Sequence, residues 1–307
     1  MSGHSHNHGP SHGHGHSHTP PKDFGRAFLI GIALNTAFIA IEVIAGFFAD
    51  SLSLLADAGH NLSDVLGLVL AWVAAMLAKR PASQRYTYGL KRTTILAALA
   101  NALLLFVGVG GIAWEAISRL GHPASVQAGT VAWVAGIGIL VNGATAMLFM
   151  SGRKDDLNVR GAFLHMAADA AVSLGVMVTG IVMAFTDWWW IDPVTSLVIV
   201  LVILVGTWGL FRESLGLSLD AVPASVDPEK VEQFLSEIGG VASIHHLHIW
   251  ALSTTETALT AHIVKSDATL DDTLLATLKE EIEEHFGITH TTFQVEYDPK
   301  TACGKIS

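Results

Sequence analysis

Six apolar runs, each of about 20 residues or more, fill most of the first two thirds of the chain, at 26–48, 52–77, 94–117, 128–150, 162–185 and 189–211. A helix rises 1.5 Å per residue, so each run is long enough to cross the hydrocarbon core of a bilayer. Only residues 49–51 separate the first two runs, which predicts a tight antiparallel pair. After Arg212 the pattern becomes that of a small soluble domain. Asp227 followed by Pro228 reads as an N-cap and first turn, and Gly239-Gly240 closes that helix. Residues 244–252 and 257–265 alternate as two strands about a short turn. Leu274, Leu278, Ile282 and Phe286 recur at helical spacing up to Gly287, and 291–297 reads as a last strand. The predicted fold is an all-α membrane domain of six transmembrane helices at 23–211, followed by a C-terminal cytoplasmic α+β domain of order αββαβ at 212–307.

Polar residues inside two of the apolar runs carry the candidate chemistry. The second run reads Ala56-Asp57-Ala58-Gly59-His60-Asn61-Leu62-Ser63-Asp64. His60 and Asp64 are four apart and stack on one helix face, with Asp57 on nearly the same stripe. The fifth run repeats the spacing with His165 and Asp169. A mid-membrane Asp costs about 2.5–3.5 kcal/mol to insert, so Asp57 and Asp64 load one helix by roughly 5–7 kcal/mol. A single polar residue so placed can be a satisfied helix contact. Two matched pairs on separate spans predict a four-ligand, tetrahedral site for a divalent metal ion. Glu42 is a further intramembrane acid, either a proton relay or an interhelical contact. Asn35, Asn101 and Asn142 are expected to hydrogen-bond between helices.

Composition agrees with a membrane protein: 51% of residues are hydrophobic and only 14% are charged. The net charge of −10 is uneven, with sixteen acids and six bases from Arg212 onward and eleven of each before it. An acidic C-terminal domain argues against a nucleic-acid partner. The basic residues Lys22, Arg26, Lys79, Arg80, Arg85, Lys91, Arg92, Arg153, Lys154, Arg160 and Arg212 fall on one side of the spans and only Arg119 on the other, which predicts cytoplasmic termini. Trp188, Trp189 and Trp190 are expected at the outer interface. Cys303 is the sole cysteine, so a thiolate-rich metal site is excluded.

Residues 1–22 form a low-complexity arm with His4, His6, His8, His12, His14, His16 and His18 among Gly, Ser and Asn. Such a tract cannot pack a core and is expected to gather metal ions loosely; no apolar stretch makes it a signal peptide. The C-terminal domain adds His245, His246 and His248 on its first strand, His262 on the second, and Glu296 and Asp298 near the end. Strict alternation would put His246 and His248 on one face and His245 on the other.

The sequence from Ala56 through Asp64, the His165–Asp169 pair, the run Tyr88-Gly89-Leu90-Lys91-Arg92 and the run His245-His246-Leu247-His248-Ile249-Trp250 together resemble the cation diffusion facilitator family, the zinc-type efflux transporters. The resemblance spans nearly the whole chain. It implies a homodimer in a bilayer, with a metallochaperone-like cytoplasmic domain, exchanging a divalent cation for protons; a bacterial inner membrane is the expected location. His60, Asp64, His165 and Asp169 match the transport site. His245, His262 and Glu296 match metal-binding positions of the cytoplasmic domain, with Asp298 a further candidate. Two features depart from the family: the loop at 85–91 has no histidine, and a paired cysteine beside Cys303 is missing.

Two imidazoles and two carboxylates suit zinc, and cadmium or cobalt could enter the same tetrahedron. Copper(I) would favour sulfur, and magnesium six oxygens. Relatives with Asp at the first position are associated with manganese or iron, which His60 argues against. An intramembrane zinc metalloenzyme is the alternative; it would need an open coordination position beside a general base, and Asp57 is the only nearby candidate. A passive metal store would not need six spans.

Overall fold

The computed structural model describes residues 24–122, 124–150, 157–265 and 272–297. The His-rich arm, Asp298 and Cys303 lie outside these residues. Six long helices come first: α1 (Phe24–Ala49), α2 (Leu52–Ala78), α3 (Thr93–Gly121), α4 (Ala128–Phe149), α5 (Leu157–Thr186) and α6 (Ile191–Ser218). Helices α2 to α6 are each long and apolar enough to cross a bilayer, and α1 contributes the apolar stretch Ala33–Ala49.

Helix α2 is central: it packs against α1, α3, α5 and α6, while α4 pairs closely with α5. The α4–α5 approach depends on Gly180, where a Cβ would fall 2.7 Å from the Ala132 backbone nitrogen. The α1–α2 turn is closed by Asp50 at φ 54°, a left-handed conformation that Asp tolerates. Arg119, the one basic residue expected on that side, pairs with Asp50 at 2.8 Å and with Glu115 at 2.9 Å.

The N-terminus of α2 is clasped by a residue from α6. Asp192 is fully buried and accepts from Ser51 Oγ at 2.7 Å, Ser53 Oγ at 2.6 Å and the Leu52 backbone N–H at 2.7 Å. A carboxylate at a helix N-terminus satisfies orphan donors and complements the helix dipole. Trp188 and Trp190 stack with centroids 6.2 Å apart and are exposed, as an interfacial pair would be. Trp189 instead packs against the core of the helix bundle.

Helix α6 continues past Arg212 to Ser218, because Leu217 is covered by Ile95 of α3 and Ala251 of the C-terminal domain. That domain holds α7 (Pro228–Glu237), β1 (Val241–Ala251), β2 (Thr257–Lys265), α8 (Asp272–Phe286) and β3 (His290–Glu296), the αββαβ order expected. Asp227 caps α7 by accepting from the Glu229 and Lys230 backbone N–H groups. The sheet order is β1-β2-β3, with β1 antiparallel and β3 parallel to β2. Val231, Leu235, Leu278 and Ile282 of the two helices pack against Leu259, Ala261 and Ile263 of β2. Ion pairs Lys91–Glu256 and Arg92–Asp220 join the domain to the α2–α3 loop, and the Thr254 N–H donates to Thr94 Oγ1 at 3.1 Å.

Candidate metal centre

Helices α2 and α5 touch, and their two His–Asp pairs meet at the contact. His60 Nε2 lies 3.8 Å from Asp64 Oδ2 within α2 and 3.6 Å from Asp169 Oδ1 across to α5. His165 Nε2 lies 3.3 Å from Asp64 Oδ2 and 3.7 Å from Asp169 Oδ2. Each imidazole therefore faces both carboxylates. The edges of a zinc tetrahedron with bonds of about 2.0–2.1 Å are about 3.3–3.4 Å. The four observed separations sit at or a few tenths of an ångström above that, so a central ion needs only a small contraction. Exposure falls along the helices: the side chains of His165 and Asp64 are 42% and 35% exposed, that of Asp169 only 3%. Asp64 and His165 are each one turn nearer the helix ends that face the C-terminal domain.

Beyond the tetrad, away from that domain, Asp57 Oδ2 accepts from Ser173 Oγ of α5 at 3.0 Å, and Glu42 Oε2 of α1 accepts from Asn61 Nδ2 at 3.4 Å. Sequence reasoning missed Ser173, although His165, Asp169 and Ser173 form an i, i+4, i+8 stripe that could have flagged it. Of the three asparagines, Asn35 reaches Met166 Sδ of α5 at 3.7 Å, and Asn101 packs where a side chain at Gly67 would otherwise lie. Asn142 is fully buried, and its amide has no hydrogen-bond partner among the described residues.

A second cluster forms in the C-terminal domain. His262 Nδ1 lies 2.7 Å from Glu296 Oε1 and His245 Nε2 lies 3.1 Å from Glu296 Oε2. Register places His262 opposite His245, and Glu296 on the neighbouring strand beside Val264. Partial burial acts to raise the Glu296 carboxyl, but hydrogen bonds from His262 and His245 hold it below the usual carboxylate range. One ligand atom from each of the three lies within 4.8 Å of the others, compatible with shared coordination of one ion. The expected alternation along β1 fails here. The strand bulges between His245 and His248, and His246 takes φ 51°, so its ring comes within 5.2 Å of the His245 ring and 5.1 Å of the His262 ring.

The structure thus joins a bundle of long apolar helices, with two His–Asp pairs meeting inside it, to a small α+β domain. Residues 28–217 match the family described as cation efflux transmembrane domain, and residues 223–298 the cation efflux protein cytoplasmic domain. The chain belongs to the cation efflux family. It is 39% identical over 299 residues to the cation efflux system protein CzcD of Alcaligenes sp. (strain CT14), covering 97% of this chain and 91% of that protein. It is 35% identical to the zinc transporter ZitB of Escherichia coli (strain K12), covering 96% and 93%. The cadmium, cobalt and zinc/H(+)-K(+) antiporter of Bacillus subtilis (strain 168) is 33% identical, with 96% and 92% covered. The solved metal-bound C-terminal domain of a CzcD transporter aligns with 23% of this chain and 99% of that chain at 40% identity and a TM-score of 0.22, too small an overlap to carry an argument. The chain is thus a cation efflux transporter and not an enzyme, which sets the metalloenzyme alternative aside.

Proposed function

We propose that this protein exports zinc, and also cadmium or cobalt, from the cytoplasm in exchange for protons. The convergence of His60, Asp64, His165 and Asp169 on one tetrahedral space between α2 and α5 carries the reading. The names of the relatives support the substrate class and, for one of them, the exchange with protons. Metal binding requires neutral imidazoles and ionised carboxylates, so protons and metal compete for the same four side chains. A metal ion entering from the cytoplasm displaces protons. After the helices re-expose the site to the far side, protons displace the metal.

Both termini are cytoplasmic in this reading, in keeping with the one-sided distribution of basic residues, and the membrane is the bacterial inner membrane. The active unit is a homodimer joined through its cytoplasmic domains. His245, His262 and Glu296 hold a zinc ion in that domain, with Asp298, outside the described residues, as a fourth candidate ligand. The arm at 1–22 gathers metal. The test is zinc uptake by purified protein in sealed proteoliposomes with an imposed pH gradient. Accumulation that vanishes when a protonophore collapses the gradient supports exchange; accumulation indifferent to the gradient contradicts it.

A further inference from the structure

Two buried acids beside the tetrad have no part in it or in any ion pair with a fixed cation. Glu42 of α1 and Asp57 of α2 are both fully buried. Each uses one oxygen on a neutral partner, Asn61 for Glu42 and Ser173 for Asp57. The remaining oxygens, Glu42 Oε1 and Asp57 Oδ1, meet no donor among the described residues, and the two carboxyls, on the packed helices α1 and α2, bear on each other's charge. No lysine or arginine occurs at 27–78, 93–118, 124–152 or 161–211, so the spans offer no fixed cation to neutralise them. The charged or titratable groups that face the pair are His60 from α2 and Asp169 from α5; α4 contributes Gly138 beside Phe38 and Ser173.

Two adjacent carboxylates in a medium of low dielectric cannot both remain ionised without a cation between them. A hard metal cation would need about six or more oxygen ligands, whereas this pocket supplies two free carboxyl oxygens and a serine hydroxyl whose proton is already committed to Asp57. A single proton held by the pair removes one of the two buried charges and supplies a donor where the site has two orphan acceptors. The pair also lies on the side of the tetrad away from the C-terminal domain, where the counter-proton would arrive.

We propose that Glu42 and Asp57 form a shared proton-binding site, separate from the metal ligands, that carries the counter-proton between the far side of the membrane and the tetrad. The inference rests on the proton-coupled reading above. A proton from outside is taken up by the pair and passed on to the emptying tetrad, so protonation and metal release are linked. Glu42 and Asp57 act on the driving force, not on the affinity for metal.

The experiment compares Glu42→Gln and Asp57→Asn with wild type in proteoliposomes by three readouts: equilibrium zinc binding, zinc–zinc exchange without a pH gradient, and zinc accumulation driven by one. Binding and exchange are expected within about twofold of wild type, while driven accumulation and the accompanying internal pH change fall at least tenfold. Glu42→Asp, which keeps a carboxyl, is expected to restore part of the coupling. Wild-type driven accumulation in both neutral variants overturns the proposal. So does an equal loss of exchange and driven uptake in folded protein, which would mark the pair as packing alone, or driven uptake that tracks a potassium gradient instead of pH. If neither neutral variant folds, Ser173→Ala decides: the pH profile of zinc-driven proton flux must move while zinc affinity does not, and an unmoved profile overturns the idea. Failure of the exchange reading itself would look different, because the wild type would then show no proton-coupled flux at all.

Discussion

Asp192→Ala tests whether the clasp at the far end of α2 holds in place the helix that carries His60 and Asp64. The substitution removes the acceptor for the Ser51 and Ser53 hydroxyls and the Leu52 N–H, all within 2.7 Å and all buried. An unsatisfied buried donor costs about 1–3 kcal/mol. The two hydroxyls can rotate to bond each other, since their oxygens are 3.1 Å apart, so the costs do not add fully. The backbone N–H has no such escape, and the loss of a charge at the helix N-terminus adds about 0.3–1 kcal/mol. The expected total is about 2–4 kcal/mol, a drop in thermal midpoint of roughly 5–15 °C at about 2–4 °C per kcal/mol. Asp192→Asn keeps one acceptor oxygen and should lose about half as much. The assay is thermal unfolding of detergent-purified protein without added metal. A midpoint within about 2 °C of wild type for the alanine variant would refute the reasoning.

Further consequences follow from the other sites. His60→Asp exchanges an imidazole for a harder oxygen donor and should lower the zinc-to-manganese ratio at least about tenfold in competition uptake; an unchanged ratio removes His60 from selectivity. Deleting residues 2–19 should leave the maximal transport rate nearly intact and raise the zinc concentration at half-maximal rate by a modest factor, as a kinetic titration beside the full chain would show; a collapse of the maximal rate would place the arm inside the transport cycle. The hydrogen bond from Lys91 holds the Glu256 carboxyl below its ordinary range despite opposing burial, with His290 Nε2 at 3.1 Å adding to it. A lowered folded value means that this contact between loop and domain contributes fully above the ordinary glutamate value of about 4.3 and is lost as pH falls through the lower folded value. Glu256→Gln should therefore lower the thermal midpoint at pH 7 and matter progressively less in acid below about pH 4, and an equal effect at both pH values would contradict it.

The six long helices were legible because each follows a long apolar run, and the His–Asp pairs of α2 and α5 because a four-residue spacing is itself a geometric statement. What sequence could not supply was contact between distant segments. Glu42 reads as an isolated acid until α1 and α2 pack and bring it to Asn61 and Asp57. Asp192 carries no motif at all; only the meeting of the α2 and α6 N-termini gives it four donors. Helix α6 overran its expected end because Arg212 marks a change of polarity but not of backbone, and Leu217 is buried beyond it. The faces of the β1 histidines were misjudged because alternation presumes an unbroken pleat, while the strand bulges at His246.

The central claim is that the tetrad between α2 and α5 holds the ion in transit. Its most direct test is gradient-driven zinc accumulation by Asp64→Ala and Asp169→Ala beside wild type, in vesicles carrying equal amounts of folded protein. Each substitution deletes one ligand and adds no bulk, so accumulation should fall to the level of protein-free vesicles. Wild-type accumulation by either variant would place the transported ion somewhere else in the molecule.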